Sequence, residues 1–164
     1  MIRTTYTISE DEFMRHSTQY FAHQGLSDKG NVIVAAASAV AACVPWGIFS
    51  LQVIFGFAAV FFLLAPRLRD RNWRRFYQRS QKYKSPITAL FSDQYVEVQS
   101  TEGENRLAWN FFKKWFENEE AFFISAEKRQ FSVIPKSGLE SQSDEEALRA
   151  LLNQHLRPMR KRWF

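Results

Sequence analysis

Residues 32–65 read VIVAAASAVAACVPWGIFSLQVIFGFAAVFFLLA, thirty-four positions without one charged side chain. Residues 66–79 then read PRLRDRNWRRFYQR and bring in Arg67, Arg69, Arg71, Arg74, Arg75 and Arg79. An apolar run of that length belongs in lipid or in a large dry core. A chain of 164 residues is too short to build such a core around it. The run therefore predicts a membrane protein, and it names no reaction.

A spanning helix needs about 20 apolar residues at 1.5 Å rise each. Thirty-four is long for one crossing and short for two. Pro45-Trp46-Gly47 reads as a turn, because Pro cannot continue the first helix and Gly permits unusual backbone angles. Trp46 also suits the lipid–water boundary. These residues predict a transmembrane helical hairpin over residues 27–66. Its first helix runs from Ser27 to Val44, and its second from Ile48 to Ala65. One long tilted helix and a hairpin buried within a soluble protein are the alternatives. Ala35, Ala36, Ala37, Ser38, Ala39, Ala41 and Ala42 are small, whereas Phe49, Phe55, Phe57, Phe61 and Phe62 are bulky, so small can pack against large. Lys29 flanks one end of the hairpin and the arginines the other, with no cation in the turn. The positive-inside rule then places both termini in the cytoplasm and the chain, as a multi-pass protein, in the inner (plasma) membrane.

The charge is unevenly divided. Residues 66–84 hold eight basic and one acidic side chain, while residues 1–31 and 85–164 each carry a net of -1. The pI of about 9.5 thus comes from one juxtamembrane stretch, which favours a membrane surface over nucleic acid. Cys43, the single cysteine, lies inside the apolar run and reads as a small packing residue. Glu10, Asp11 and Glu12 interrupt the first residues, so no cleavable leader is expected there.

Residues 67–84 continue as a basic juxtamembrane helix in this reading, with Trp73, Phe76, Tyr77 and Tyr83 at helical spacing between the cations. The membrane-surface candidates are Arg67, Arg69, Arg71, Arg74, Arg75 and Arg79, with Arg160, Arg162 and Trp163 in a basic-aromatic tail over 157–164. The plainer reading is that the arginines only set topology and the tail is solvated.

Residues 85–156 read as an antiparallel β domain closed by a helix. Strands are expected at Tyr95–Gln99, Asn105–Phe112, Trp115–Glu117, Ala121–Ala126 and Gln130–Ile134, with a turn at Thr101–Glu104. Ser143 with Glu146 reads as a capping box for the helix, which would bury Ala147, Leu148, Leu151, Leu152 and His155. At residues 1–24 the alternation of Ile2, Thr4 and Tyr6 predicts a strand. Ser9 with Glu12 caps a helix bearing Phe13, Met14, Tyr20 and Phe21. An isolated strand is unstable, so this one is expected to join the C-terminal sheet.

The layout resembles the YcxB-like proteins of bacteria. The resemblance rests on IRTTYTISE at 2–10, an acidic helix, two apolar helices and an Arg-rich exit. It extends to Trp109-Asn110 with Lys113, and to Val133-Ile134-Pro135-Lys136 before an acidic helix. The chain departs from that pattern in its aromatic strands around Phe111, Phe112, Trp115 and Phe116. The family's C-terminal domain is similar to bacterial pleckstrin-homology-like folds. The resemblance therefore implies an α+β membrane protein, a transmembrane hairpin plus a pleckstrin-homology-like domain, and brings no activity, cofactor or ligand with it. The acidic turn Glu102-Gly103-Glu104 would repel phosphoinositide phosphate.

No catalytic, cofactor or metal residues are expected. His16 and His23 lack a third ligand nearby, six glycines form no phosphate loop, and the membrane run holds no charge that would mark a transport path. Glu117, Glu119 and Glu120 read as a solvated turn. The expected function is a membrane-anchored, cytoplasmic-face interaction module, not an enzyme. Its partners are the bilayer and a protein or second copy, with Lys113, Lys114, Trp115 and Phe116 as docking candidates and core packing as the plainer reading of the aromatics. Alternatives are a small subunit of an oligomeric transport or enzyme complex, or a sensor of anionic lipid.

Overall fold

The structure is a computed structural model that describes residues 1–25, 28–44, 49–127 and 130–160. Its described residues form an α+β chain whose elements divide into two compact units. One comprises residues 1–13 and 77–160, and the other residues 14–76.

The first unit is built on two sheets. β1 (Ile2–Tyr6), β2 (Ile87–Phe91), β3 (Tyr95–Ser100) and β4 (Gly103–Ala108) form an antiparallel sheet in that order. β1 pairs with β2 from Ile2↔Phe91 to Tyr6↔Ile87, although 80 residues separate Tyr6 from Ile87. Strand alternation explains the pairing: Ile87, Ala89 and Phe91 are buried while Thr88 and Leu90 between them are not, and Ile2 and Thr4 are buried beside them. β4 is an edge strand, with only Leu107 even partly buried.

The second sheet runs β7-β6-β5-β8, from Lys114–Glu117 (β5), Ala121–Glu127 (β6), Gln130–Pro135 (β7) and Arg157–Pro158 (β8). Residues 121–126 of β6 are buried without a break, so both faces of this strand are covered. That is why it reads AFFISA and does not alternate. On β7 Ile134 is buried as well as Val133, where sequence alternation put only Phe131 and Val133 inward.

Helix α4 (Gln142–His155) adds Leu148, Leu151 and Leu152, with Leu156 after it, to a core shared by both sheets through Phe91, Val96, Trp115, Phe122, Ile124 and Ile134. Its cap differs from the expected one. Ser141 is the N-cap and accepts from the Asp144 amide, while Ser143 lies inside the helix. Ala147, expected inward, is exposed. The expected strand through Phe112 ends at Ala108, and Trp109–Phe111 form a 3₁₀ turn. Between β7 and α4 the chain passes against β1, where a Cβ on Gly138 would stand 2.8 Å from Thr4 Oγ1 and 3.1 Å from the Thr5 carbonyl. Only glycine fits that approach.

The second unit is helical. Helix α1 (Glu10–His23), whose first turn belongs to the first unit, begins with the expected box. Ser9 N donates to Glu12 Oε2 at 2.9 Å, and Glu12 N to Ser9 Oγ at 3.3 Å. α2 spans Asp28–Cys43 and α3 spans Phe49–Arg79. Among the described residues, α3 alone is long and apolar enough to cross a bilayer. The 16 residues of α2 rise about 24 Å, short of a hydrocarbon core of about 30 Å. The expected two-span hairpin is therefore not met by length, and its turn at 45–47 lies outside the described residues. α3 is continuous through Pro66, which forfeits one helical hydrogen bond where apolar sequence gives way to basic. Helix ends at Arg79, with a 3₁₀ turn at Lys82–Lys84. Of the small residues expected at a helix interface, Ala35 is buried, whereas Ala36, Ala37 and Ala39 are exposed.

Candidate functional site

Two groups of residues carry the charge-based expectations, and the fold treats them differently. In the basic stretch, Arg67, Arg71, Arg74, Arg75 and Arg79 are exposed along α3, while Arg69 is half-buried and pairs with Asp70 at 3.1 Å. The aromatics between them do not form a free lipid-facing stripe. Trp73 packs on Phe21 of α1 with ring centroids 5.7 Å apart, and the Arg69 guanidinium lies 5.9 Å from the same Phe21 ring. Tyr77 belongs to the β unit, where its hydroxyl donates to the Ile8 carbonyl at 2.8 Å and its ring meets Phe13. The protein uses these aromatics to hold residues 8–21. Arg160 is exposed, whereas Arg162 and Trp163 lie outside the described residues. The start of the expected free tail is part of the sheet: Arg157–Pro158 pairs with β5, and Met159 N donates to the Trp115 carbonyl at 2.6 Å.

Of the docking candidates, Lys113 and Lys114 are exposed, and Lys113 Nζ donates to the Asn110 carbonyl at 3.1 Å. Trp115 and Phe116 are both buried, so they are packing residues and present no docking surface. They are adjacent and point to opposite faces of β5. Trp115 joins the shared core, and Phe116 stacks on Phe123 at 4.4 Å. A strand covered on both faces explains the run of aromatics.

The acidic group Glu117, Glu119 and Glu120 is divided. Glu119 and Glu120 are exposed. Glu117 instead accepts from Lys136 at 2.5 Å and from Arg149 at 2.6 and 2.7 Å. Glu145, one helical turn before Arg149, accepts from the same two cations at 2.8 and 2.6 Å. Two carboxylates and two cations thus join β5, the end of β7 and α4, over the buried ring of Phe122. The Arg149 hydrogen bonds, reinforced by Lys136, outweigh burial and hold the Glu117 carboxyl down to about 2 from an ordinary 4.5. Glu145 is lowered for the same reasons, its bond from Lys136 first. A carboxylate whose folded pKa is depressed stabilises the fold above the unfolded value and loses that stabilisation as pH falls toward the folded one. Unfolding in urea followed by tryptophan fluorescence is therefore expected to show stability falling between pH 4.5 and about 2. Glu117→Gln is expected to cost roughly 2 kcal/mol at neutral pH and to flatten that acid limb. An unchanged acid limb in the variant would remove Glu117 from this role.

Of the four charges, only the Glu145–Arg149 pair at i, i+4 had a local signal in the sequence. Elsewhere, His16 is buried and bonds Gln19 at 3.2 Å, and among the described residues no group of three metal-ligating side chains converges. The strands and helix that carry this geometry lie almost wholly between Phe91 and Leu152.

Residues 91–152 match the family of YcxB-like proteins. The YcxB-like segment thus takes in β3 to β7 and most of α4, with the whole Glu117–Lys136–Glu145–Arg149 network inside it. The chain matches no curated protein and no solved structure.

Proposed function

We propose that the protein is a membrane-anchored interaction module of the inner membrane, with both termini cytoplasmic and a pleckstrin-homology-like domain as its working part. The observation that carries this reading is α3. Ile54, Phe57 and Phe61 are 60%, 73% and 61% exposed on a helix long enough to span a bilayer, and such side chains require a cover. In this reading α2 crosses as well, with bilayer thinning offsetting its shortness. The pleckstrin-homology-like reading draws support from strand order. Four strands make one sheet and the next three the body of the second, a helix follows, and α1 to α3 occupy the connection between the first two strands.

A docking role draws support from β4, whose outer edge is unpaired among the described residues, and from the exposed Lys113, just before β5, and Lys114, its first residue. An exposed edge accepts an extended segment of another chain. Affinity purification of the full-length protein from native membranes in mild detergent tests this. With Lys113→Glu and Lys114→Glu together, recovery of proteins that co-purify with the wild type is expected to fall roughly thirtyfold, two charge contacts of about 1 kcal/mol each being lost. Unchanged recovery would exclude the lysines from docking.

A second reading, a sensor of anionic lipid, is favoured by the exposed arginines of α3. Binding to anionic liposomes that is insensitive to salt would count against it.

A further inference from the structure

Each sheet of the β unit ends in two outer strands, and three of the four are blunted. β1 is bridged on its outer side by Leu139, opposite Thr4. β7 ends in Pro135 and its pairing with β6 slips between Ser125 and Glu127, while β8 is two residues long. Cover, proline, irregular pairing and shortness all keep a sheet edge from taking on another strand. β4 has none of these among the described residues. Its six residues run in unbroken register with β3, from Tyr95↔Ala108 to Ser100↔Gly103.

The backbone groups that this edge offers follow from the pairing. Ser92 N donates to the Tyr95 carbonyl at 3.0 Å and continues the β2–β3 register. Tyr95, and by alternation Glu97 and Gln99, therefore turn their backbone groups toward β2. Val96, Val98 and Ser100 turn theirs toward β4, at Leu107, Asn105 and Gly103. The N–H and C=O groups of Glu104 and Arg106 then point away from β3, out of the sheet edge. The side chains of these two residues share one face. Arg106 donates from Nε and Nη2 to Glu97 Oε2 at 3.0 and 2.7 Å, which leaves Nη1 unbonded among the described residues. Glu104 is exposed and its carboxylate accepts no hydrogen bond among the described residues.

Charge is the one edge-blocking device left, and here it is self-complementary. An antiparallel copy of β4 can bond to this edge only where outward residues meet outward residues. A two-fold centred on Gly103 sets Glu104 against Glu102, and one centred on Glu104 or Arg106 sets that residue against its own copy. Like charges directly opposite destabilise a pair. A parallel copy in register repeats both clashes, and a two-fold on Leu107 runs the pairing into the 3₁₀ turn at Trp109. A two-fold on Asn105 sets Glu104 against Arg106 twice. The row across the joined edge then reads Glu97 and Arg106 from one copy, Glu104 and Gln99 from the other.

We propose that β4 pairs antiparallel with β4 of a second copy of this chain, about a two-fold axis at Asn105, so that the two sheets run on as one. The contact is isologous and closes at two copies. It is small, about four backbone hydrogen bonds and two ion pairs, and anchoring both copies in one membrane supplies the effective concentration it needs. The proposal rests on the docking reading given to β4 above and names its partner.

The test uses the full-length protein in native membranes, with Cys43→Ser removing the single cysteine. In this register Asn105 faces its own copy in a non-hydrogen-bonded pair, Cα atoms about 4.5 Å apart, within disulfide reach. Asn105→Cys is expected to form a disulfide dimer under a mild oxidant. Glu102→Cys is also exposed but stands about 20 Å from its copy, and is expected to cross-link roughly tenfold less. Glu104→Lys and Arg106→Glu, each added to Asn105→Cys, should each slow cross-linking about tenfold. Tenfold is about 1.4 kcal/mol, or about 0.7 for each of two pairs, within the range of cross-strand charge pairs. Co-expressing the two charge variants is expected to restore the rate, because each then opposes the other's charge, and restoration shows that both fold. Equal cross-linking from positions 102 and 105, or no restoration on co-expression, would overturn the proposal. No dimer from Asn105→Cys while other proteins still co-purify with the wild type would overturn the second copy and leave β4 a docking edge. The loss of both would sink the docking reading as well.

Discussion

Membranes bearing the variant Ile54→Arg with Phe57→Arg are expected to lose the protein to alkaline carbonate washing, whereas the wild type stays in the pellet. Both side chains are exposed near the middle of the apolar part of α3, one helical turn apart. Arginine is a good helix former, so the helix itself survives the change. The cost lies in the solvent. An arginine at the centre of a spanning helix costs about 2.5 to 3.5 kcal/mol on insertion scales, and the pair about 6 kcal/mol, enough to reverse insertion of a span of moderate hydropathy. Snorkelling cannot relieve residues so far from either interface. Equal carbonate resistance in variant and wild type would show that α3 is covered by protein and not by lipid.

Leu148→Ala is expected to be the most damaging small change in the β unit. Leu148 is 0% exposed and belongs to the core that both sheets share with α4. Leucine-to-alanine changes at such sites cost about 2 to 5 kcal/mol, from lost burial and from the cavity left behind. Against a total stability of about 5 to 15 kcal/mol, that should lower the tryptophan-detected melting temperature by about 10 °C or more. Ala147→Lys, one residue earlier and exposed, should move stability by less than about 0.5 kcal/mol. Equal melting of Leu148→Ala and wild type would mean that α4 does not close this core.

Those neighbouring positions show what local pattern could and could not reveal. Leu148, Leu151 and Leu152 recur at helical spacing and are buried as that spacing predicts. Ala147 fits the same stripe but faces out, because a small residue gains little from burial and the helix rotates to seat its leucines. The caps divide similarly. Ser9 and Glu12 formed the one such pattern at that helix start, and they cap it. At α4 two overlapping patterns compete, Ser141 with Asp144 and Ser143 with Glu146. The chain enters from Leu139, which is bridged to Thr4, and the cap falls on the earlier serine.

Trp115 and Phe116 are buried, as the plainer core-packing reading had them, and the sequence left the choice open for a related reason. Whether adjacent aromatics on a strand are exposed depends on what covers each face, and here both faces of β5 are covered. Glu117 looked like one member of an acidic turn, but its partners Lys136 and Arg149 stand 19 and 32 residues away.

Local sequence was sufficient for the charge-free run with its arginine exit, the alternation of β1, a strand at β3, a polar turn within the expected 101–104 and the first helical cap. Each depends on residues within a few positions of one another, where backbone geometry alone decides which side chains share a face. Only the tertiary structure decided that β1 takes β2 as its partner in the sheet, that the aromatic face of the basic end of α3 packs on α1, and that two carboxylates and two cations meet across β5, β7 and α4. Those outcomes depend on which surfaces meet after long loops close, and periodicity along the chain does not encode that.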